Sequence, residues 1–346
     1  GTAPVAATAA DVPVTVDADV TAGRITLQGA SETSGYALSG GTINLNHNDF
    51  KTPPSITALT GTHTVDADVT TDDEYTRSNE TYANGGYTGA VAFFAQSNAT
   101  LVVNGAVTVD PKRPVLVNPF GEGGGTTRFN GTLGSCAGIW THSGTLEMDD
   151  VTTLDGKTLT IKDGTFRFTG QEGYTTAKLV TTPSSDTRAS IIRTDGDLVI
   201  AGQVDSTTGG FVKRGAGRLI FAYPGGASVT NRIGHTGSNA SWNKEGADWY
   251  WPANGDNTKK QTTGSFDLNE GELVLAGDNA LYHISNKGTG SDVFIGSQDR
   301  GWGYATNYAA LTVIGGTVKA SYVGLGHTFN RKENGNPVQT RADLNV

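Results

Sequence analysis

The stretch "GGFVKRGAGRLIFA", Gly209 to Ala222, forces a choice between two folds. A glycine turn set between basic residues is what a phosphate-binding loop looks like. It is equally what a tight turn between two strands of a stacked β-structure looks like. The residues that follow decide it. A phosphate loop hands its anion to the N-terminus of a helix, and the spacing G-x4-G-K-[ST] marks it. Here Arg218 to Ala222 run on as a strand, with no helical periodicity and no such spacing. Phe211–Val212 and Arg218–Ala222 therefore read as strands, and Lys213 and Arg214 as solvated residues of the turn between them.

The same unit, a Gly or Asn turn and then alternating apolar positions, covers the chain. It recurs as "GRITLQG" (23–29), "GGTINLN" (40–46), "NATLVVNG" (98–105), "GTLEMDD" (144–150) and "GKTLTIKDGTFRFTG" (156–170). It continues as "GDLVIAG" (196–202), "GELVLAG" (271–277) and "ALTVIGGTVKASYVGLG" (310–326). Period-two alternation means strands with one buried face. One hexapeptide, "VDADVT", occurs twice, at 16–21 and 65–70. Its alternation puts Val14, Val16, Ala18 and Val20 on one side, and Asp17 and Asp19 together on the other. Short strands in such number suit a sandwich, a barrel or a solenoid. The endless recurrence and the small aliphatic inward residues favour a solenoid, in which each turn buries its neighbour's face. At roughly 20–25 residues per turn, about a dozen turns stacked about 4.8 Å apart give a rod roughly 60 Å long.

Composition agrees. Glycine supplies 48 of 346 residues, about twice ordinary usage, and charged residues only 17%. Gly, Thr and Asn are weak helix formers and good turn formers. The net charge of -9 argues against a nucleic-acid partner. No run of 18 apolar residues is present to span a membrane. The single Cys136 forms no internal disulfide and reads as a small buried or turn residue. "GTAPVAATAADVPV" lacks the marks of a signal peptide.

Two stretches break the repeat. Between 228 and 263, "NASWNKEGADWYWPANGDNTKK" carries Trp242, Trp249, Tyr250 and Trp251; between 296 and 308, "GSQDRGWGYATNY" carries Trp302 and Tyr304. Exposed aromatic faces stack on sugar rings, so these residues are the candidate ligand contacts; loops packed on their own aromatics are the competing reading. Acidic groups at Asp17/Asp19, Asp72–Glu74 and Glu147/Asp149/Asp150 could hold Ca²⁺, but they read as solvated carboxylates. The six His, at 47, 63, 142, 235, 283 and 327, show no metal or catalytic spacing. No metal and no cofactor is expected.

The opening stretch resembles the passenger-associated repeat of bacterial autotransporters. Gly209, Gly210, Phe211, Lys213, Gly215, Gly217, Leu219 and Phe221 match its first part; Asn269, Gly271, Leu273 and Leu275 match its second. The resemblance covers about 209–326. It implies a right-handed parallel β-helix, exported and displayed on or shed from the bacterial surface, with those glycines, Lys213 and the leucines as structural residues. Two features depart from the family. The two parts usually lie a dozen residues apart, whereas 47 separate Phe221 from Asn269 here; and no membrane barrel follows.

The expectation is thus one β-solenoid over 1–346, part of a longer chain. It serves as a structural or adhesive rod that presents loops and has surface glycans as possible partners. A polysaccharide lyase, a glycosidase or a carbohydrate-binding module on the same helix is the alternative. With no polar capping repeat at either end, the open strand edges are expected to associate with other copies, end to end.

Overall fold

The computed structural model describes residues 12–46, 52–72, 89–119, 123–182, 190–206, 211–223 and 230–233. Further on it describes 266–268, 270–277, 281–284, 292–295, 308–314, 317–320, 322–325, 332–333, 336–337 and 341–345. The protein is all-β, built on long parallel ladders; the described residues contain no α-helix, only a 3-10 turn at Thr152–Leu154. Two compact units divide it, Gly1–Ala177 and Lys178–Val346.

In the first unit the chain visits three ladders in turn. The first ladder holds Val12–Val16, Tyr36–Gly40, the second half of Ser55–Val65, Ala99–Val103, Thr126–Phe129, Thr145–Met148 and Thr165–Phe168. The second holds Val20–Ala22, Ile43–Leu45, Val69–Thr70 and Val107–Thr108. The third holds Arg24–Gln28, the first half of Ser55–Val65, Ala92–Ala95, Pro114–Val117, Gly138–Thr141 and Thr158–Ile161. Every one of these pairings is parallel. Pairing partners sit one circuit apart: Val12 faces Tyr36, and Thr145 faces Thr165. Ser55–Val65 serves two ladders because it bends at Gly61, whose φ is +99°. A side chain there would collide with the Ser34 carbonyl, so only glycine fits both the angle and the space.

The core corrects one expectation. Its largest fully buried side chains include Phe93, Phe129, Phe166 and Phe168 beside the aliphatics. Aromatics fit because neighbouring turns vary in size: Phe166 stacks in register on Leu146, and Phe168 on Met148. Large and small residues then interdigitate along the axis of a ladder.

The repeated hexapeptide is also corrected. It is a corner, not a continuous strand. The chain leaves the first ladder at Val16 or Val65, turns through Asp-Ala-Asp, and enters the second ladder at Val20 or Val69. Asp17 and Asp19 therefore flank a bend and share no strand face. Two later corners, Asn104-Gly105-Ala106 and Asn130-Gly131-Thr132, occupy the same place. Each drops two successive N–H groups onto one carbonyl of the turn before: Asp66 and Ala67 onto Leu38, Asn104 and Gly105 onto Val65, Asn130 and Gly131 onto Val103. Side chains stack as well. Asn104 Nδ2 donates to Asp66 Oδ1 at 2.7 Å, and Asn130 Nδ2 to Asn104 Oδ1 at 2.9 Å. Asp68 Oδ1 accepts the Ala106 N–H at 2.8 Å. The short polar side chains of Asp and Asn satisfy the backbone where the ladder is interrupted.

The second unit repeats the three-ladder order. One ladder runs Asp197–Ile200, Arg218–Phe221, Gly271–Leu275, Tyr308–Val313, Arg341–Asn345. Its register puts Leu198, Leu219, Leu273 and Leu311 in one column, the like-on-like stacking the sequence suggests, and pairs Leu311 with Leu344 along the backbone. A second runs Ser190–Thr194, Phe211–Arg214, Phe266–Leu268, Asp292–Ile295, Tyr322–Leu325. A third joins Lys178–Thr181, Val204–Ser206, Thr230–Ile233, Leu281–Ile284 and Thr317–Ala320. Thr230–Ile233 is a ladder strand, although it lies inside the 228–263 interruption, and Tyr308 opens a strand at the end of the second interruption.

Candidate functional site

The densest chemistry among the described residues sits at the stretch that opened the sequence. Strand Phe211–Arg214 alternates, so Phe211 and Lys213 share the inward face while Val212 and Arg214 are half-buried. Lys213 is fully buried, which overturns its reading as a solvated turn residue. After Arg214 the chain turns through Gly215, whose φ is +80°, and Gly217. The four-carbon stem reaches past this turn, and Nζ lies within hydrogen-bonding distance of four carbonyl oxygens, which share its three N–H groups. They belong to Arg214 at 2.8 Å, Gly215 at 2.7 Å, Gly217 at 2.9 Å and, from the following turn, Glu270 at 3.1 Å.

The neighbours complete this clamp. Glu270 Oε2 accepts the Gly215 N–H at 3.0 Å, and Thr194 Oγ1 donates to the Gly217 carbonyl at 3.0 Å. Gly271, with φ +74°, closes the far side; a Cβ there would stand 2.7 Å from the Gly217 oxygen and 2.9 Å from Nζ. A Cβ on Gly217 would press on the backbone of Gly196. The glycines are thus fixed by close approach and by positive φ. Leu219 and Leu273 fill the adjoining column of the core. Gly209 and Gly210 lie outside the described residues.

Burial pushes the Lys213 ammonium down to about 7, against the pull of the Glu270 and Asp195 carboxylates; Arg193 adds to the lowering. An isolated buried ammonium is costly unless its donors are satisfied, and four carbonyls satisfy them. The amine is spent on the backbone and faces no solvent. The arrangement staples two turns together.

A second charged array lies in the first unit. Arg128, Glu147 and Arg167 occupy one register column on three adjoining strands. Glu147 Oε2 accepts from Arg128 Nη2 at 2.9 Å, and Oε1 from Arg167 Nη1 at 2.7 Å. Glu147 is 5% exposed, so it is not the solvated carboxylate that the sequence suggests. Asp150 caps the turn at Thr152, accepting its N–H at 2.8 Å. Among the described residues no cluster of three His, Cys, Asp or Glu could hold a metal ion. Arg218 pairs with Asp197 and holds its carboxyl below the usual range.

The histidines described with side chains serve the scaffold. His63 is buried and stacked on Tyr36; its Nδ1 accepts the Tyr36 N–H at 3.1 Å, and Nε2 donates to the Thr60 carbonyl at 2.9 Å. His142 stacks on Trp140 and lies 3.5 Å from Asp163. Burial pushes the Cys136 thiol up, against the pull of the nearby Lys157.

Trp242, Trp249, Tyr250, Trp251, Trp302 and Tyr304, the sequence-based ligand contacts, lie outside the described residues. The resemblance names Lys213 as a structural residue but the residue-by-residue reading sets it in solvent; the Arg128–Glu147–Arg167 array escaped the sequence reading. The signal for the arginine pair was present: opposite charges recur at separations of 19 and 20 residues, the repeat length of that region. For Lys213, the signal was period two itself, which sets it on the face of Phe211. Comparison of the chain with known protein families, with curated proteins and with solved structures finds no match.

Proposed function

We propose that the chain is a structural, adhesive module of an exported bacterial surface protein, a right-handed parallel β-helix of the autotransporter passenger type. The Lys213 clamp carries this reading. It gives both halves of the resembled repeat one physical task. Lys213, Gly215 and Gly217 from the first half and Gly271 from the second meet at one buried cation. The halves pair as adjoining strands in spite of the 47 residues between them. A long insertion costs little once its two ends are held, because loop-closure entropy grows only slowly with length. The handedness follows the general preference of parallel β connections. Location and adhesion rest on the resemblance. The module's work is geometric: a stiff stack that presents the segments at 228–263 and 296–308, apart from the ladder residues Thr230–Ile233 and Tyr308.

A glycan panel tests this against the enzymatic alternative. The chain is incubated with each polysaccharide, and both binding and product ends are scored. The reading expects no new reducing ends and no unsaturated products, with any binding lost in Trp249→Ala. Cleavage that is abolished by changing acidic residues along one ladder would replace it with a lyase or glycosidase.

A further inference from the structure

Two corners of the first unit carry the dipeptide Asn-Gly, as Asn104-Gly105 and Asn130-Gly131. Both asparagines are exposed. This dipeptide is chemically fragile, because glycine has no side chain to shield its backbone nitrogen from the asparagine amide beside it. The stack calls for both residues all the same. A Cβ on Gly105 would stand 2.1 Å from the Ala67 carbonyl oxygen, and one on Gly131 would stand 2.0 Å from the Gly105 oxygen. Asn104 donates to one turn and accepts from the next, which an amide can do and a carboxylate cannot. The fold itself therefore sets a reactive pair at two exposed corners.

The column of side chains has a direction. The Asp66 carboxylate only accepts, so Asn104 turns Nδ2 toward it, at 2.7 Å. That leaves Asn104 Oδ1 for the following corner, and Asn130 Nδ2 meets it at 2.9 Å. Asn130 ends the column, since its Oδ1 has no partner among the described residues. The glycine N–H groups are held alike: Gly105 donates to the Val65 carbonyl at 3.1 Å, and Gly131 to the Val103 carbonyl at 3.0 Å. The two sites thus share a backbone arrangement and differ at the side chain. Two hydrogen bonds hold the Asn104 amide, and one holds the Asn130 amide.

We propose that Asn130-Gly131 is a spontaneous deamidation site of the folded chain, and that the modification then passes along the column to Asn104. The Gly131 nitrogen gives up its proton to hydroxide and attacks Asn130 Cγ. The new N–Cγ bond closes a cyclic imide, the Cγ–Nδ2 bond breaks, and ammonia leaves with a proton returned from water. Water then opens the imide at either carbonyl, giving aspartate or isoaspartate. The sum converts asparagine and water to aspartate and ammonia. A carboxylate at position 130 has no N–H for Asn104 Oδ1. Asn104 is then held by one side-chain bond, as Asn130 was, and it reacts next. Its product sets a carboxylate against that of Asp66, and like charges on adjoining turns repel. Each step loosens the corner where it occurs.

Peptide mapping by mass spectrometry, over a time course in mildly alkaline buffer, tests this on four samples. They are the folded 346-residue chain, the same chain unfolded in urea, and folded Asn130→Asp and Asn130→Ala. Unfolded, the two sites should react at similar rates. Folded, Asn130 should react about fivefold faster than Asn104, the factor that one ordinary hydrogen bond supplies. Molecules changed at 104 should also be changed at 130. Both variants should speed Asn104 about fivefold; Asn130→Ala does so without a new charge, which assigns the effect to the missing donor. Equal rates at the two sites of the folded chain, Asn104 reacting first, or an Asn104 rate indifferent to both variants overturns the proposal. So does a folded chain that keeps both amides while the unfolded one loses them. An Asn104 rate that reaches the unfolded value in both variants would mean that the whole corner has opened, and that result overturns the account of one lost bond.

Discussion

Lys213 and Glu147 are both almost fully buried charges, and the fold neutralises them by different means. Lys213 sits inside the second unit and is met by four backbone carbonyls, with one carboxylate, Glu270, bonded to the turn beside it. Glu147 sits on the outward side of the first unit and is met by two arginines in register, Arg128 and Arg167, which are 49% and 34% exposed at the side chain. Backbone acceptors cannot rotate away or be screened by salt. Exposed arginines can do both. The first arrangement should therefore hold turns together, and the second should only tune an outer surface.

Removing the cation should break this comparison most strongly. Lys213→Met strands four buried carbonyls, and we expect a loss of about 3–5 kcal/mol, read from the midpoint of a denaturant titration. A loss under about 1 kcal/mol would mean the carbonyls find other donors. The same pair of proteins sharpens the electrostatics. The folded amine titrates near 7, and the unfolded one near its ordinary value of 10.5. Between these values the unfolded chain binds the extra proton, so this group's contribution to stability rises with pH, by at most about 1.4 kcal/mol per unit. The gap between wild type and Lys213→Met should widen from pH 7 upward and stay flat below it.

Next in size is the wall of the clamp. Gly271→Ala combines an unfavourable φ of +74° with a Cβ pressed on the Gly217 carbonyl oxygen and Nζ. The expected loss is about 3 kcal/mol by thermal or denaturant unfolding. A neutral result would show that Gly271 has room to move.

Removing the outer charge should cost less. Glu147→Gln keeps the shape but removes the charge and leaves one arginine facing an amide N–H donor, for about 1 kcal/mol, and the loss should shrink in high salt. Salt-insensitive destabilisation would contradict the contrast with Lys213. Smallest is the polar column at the corners. Asn104→Ala removes one donor and one acceptor at the surface, and about 0.5 kcal/mol is expected.

Much of the fold was legible because strand periodicity and turn glycines are local signals. The recurrence of "VDADVT" marked equivalent places two turns apart, and the leucine column was visible as a repeated G-x-L spacing. The same repeat misled in one respect. A corner of Asp-Ala-Asp keeps period-two alternation on paper, although the chain bends there from one ladder to the next. Lys213 misled for a related reason: beside glycines a lysine looks solvated, and only the neighbouring turn supplies the carbonyls that bury it. Glu147 needed the register before its arginines became neighbours. Phenylalanines entered the core where adjacent turns compensate in volume, a property of pairs of turns that no single turn displays.

In-register parallel stacking is the central claim, and paired cysteines test it most directly. In a Cys136→Ser background, Thr145→Cys and Thr165→Cys face each other on adjoining strands. Their Cα atoms stand about 4.8 Å apart across a ladder, inside the span that a disulfide bridges. Thr145→Cys with Arg167→Cys is two positions out of register, roughly 8 Å apart, and beyond that span. The account predicts efficient oxidation of the first pair and little of the second. Equal yields, or a preference for the second pair, would contradict it.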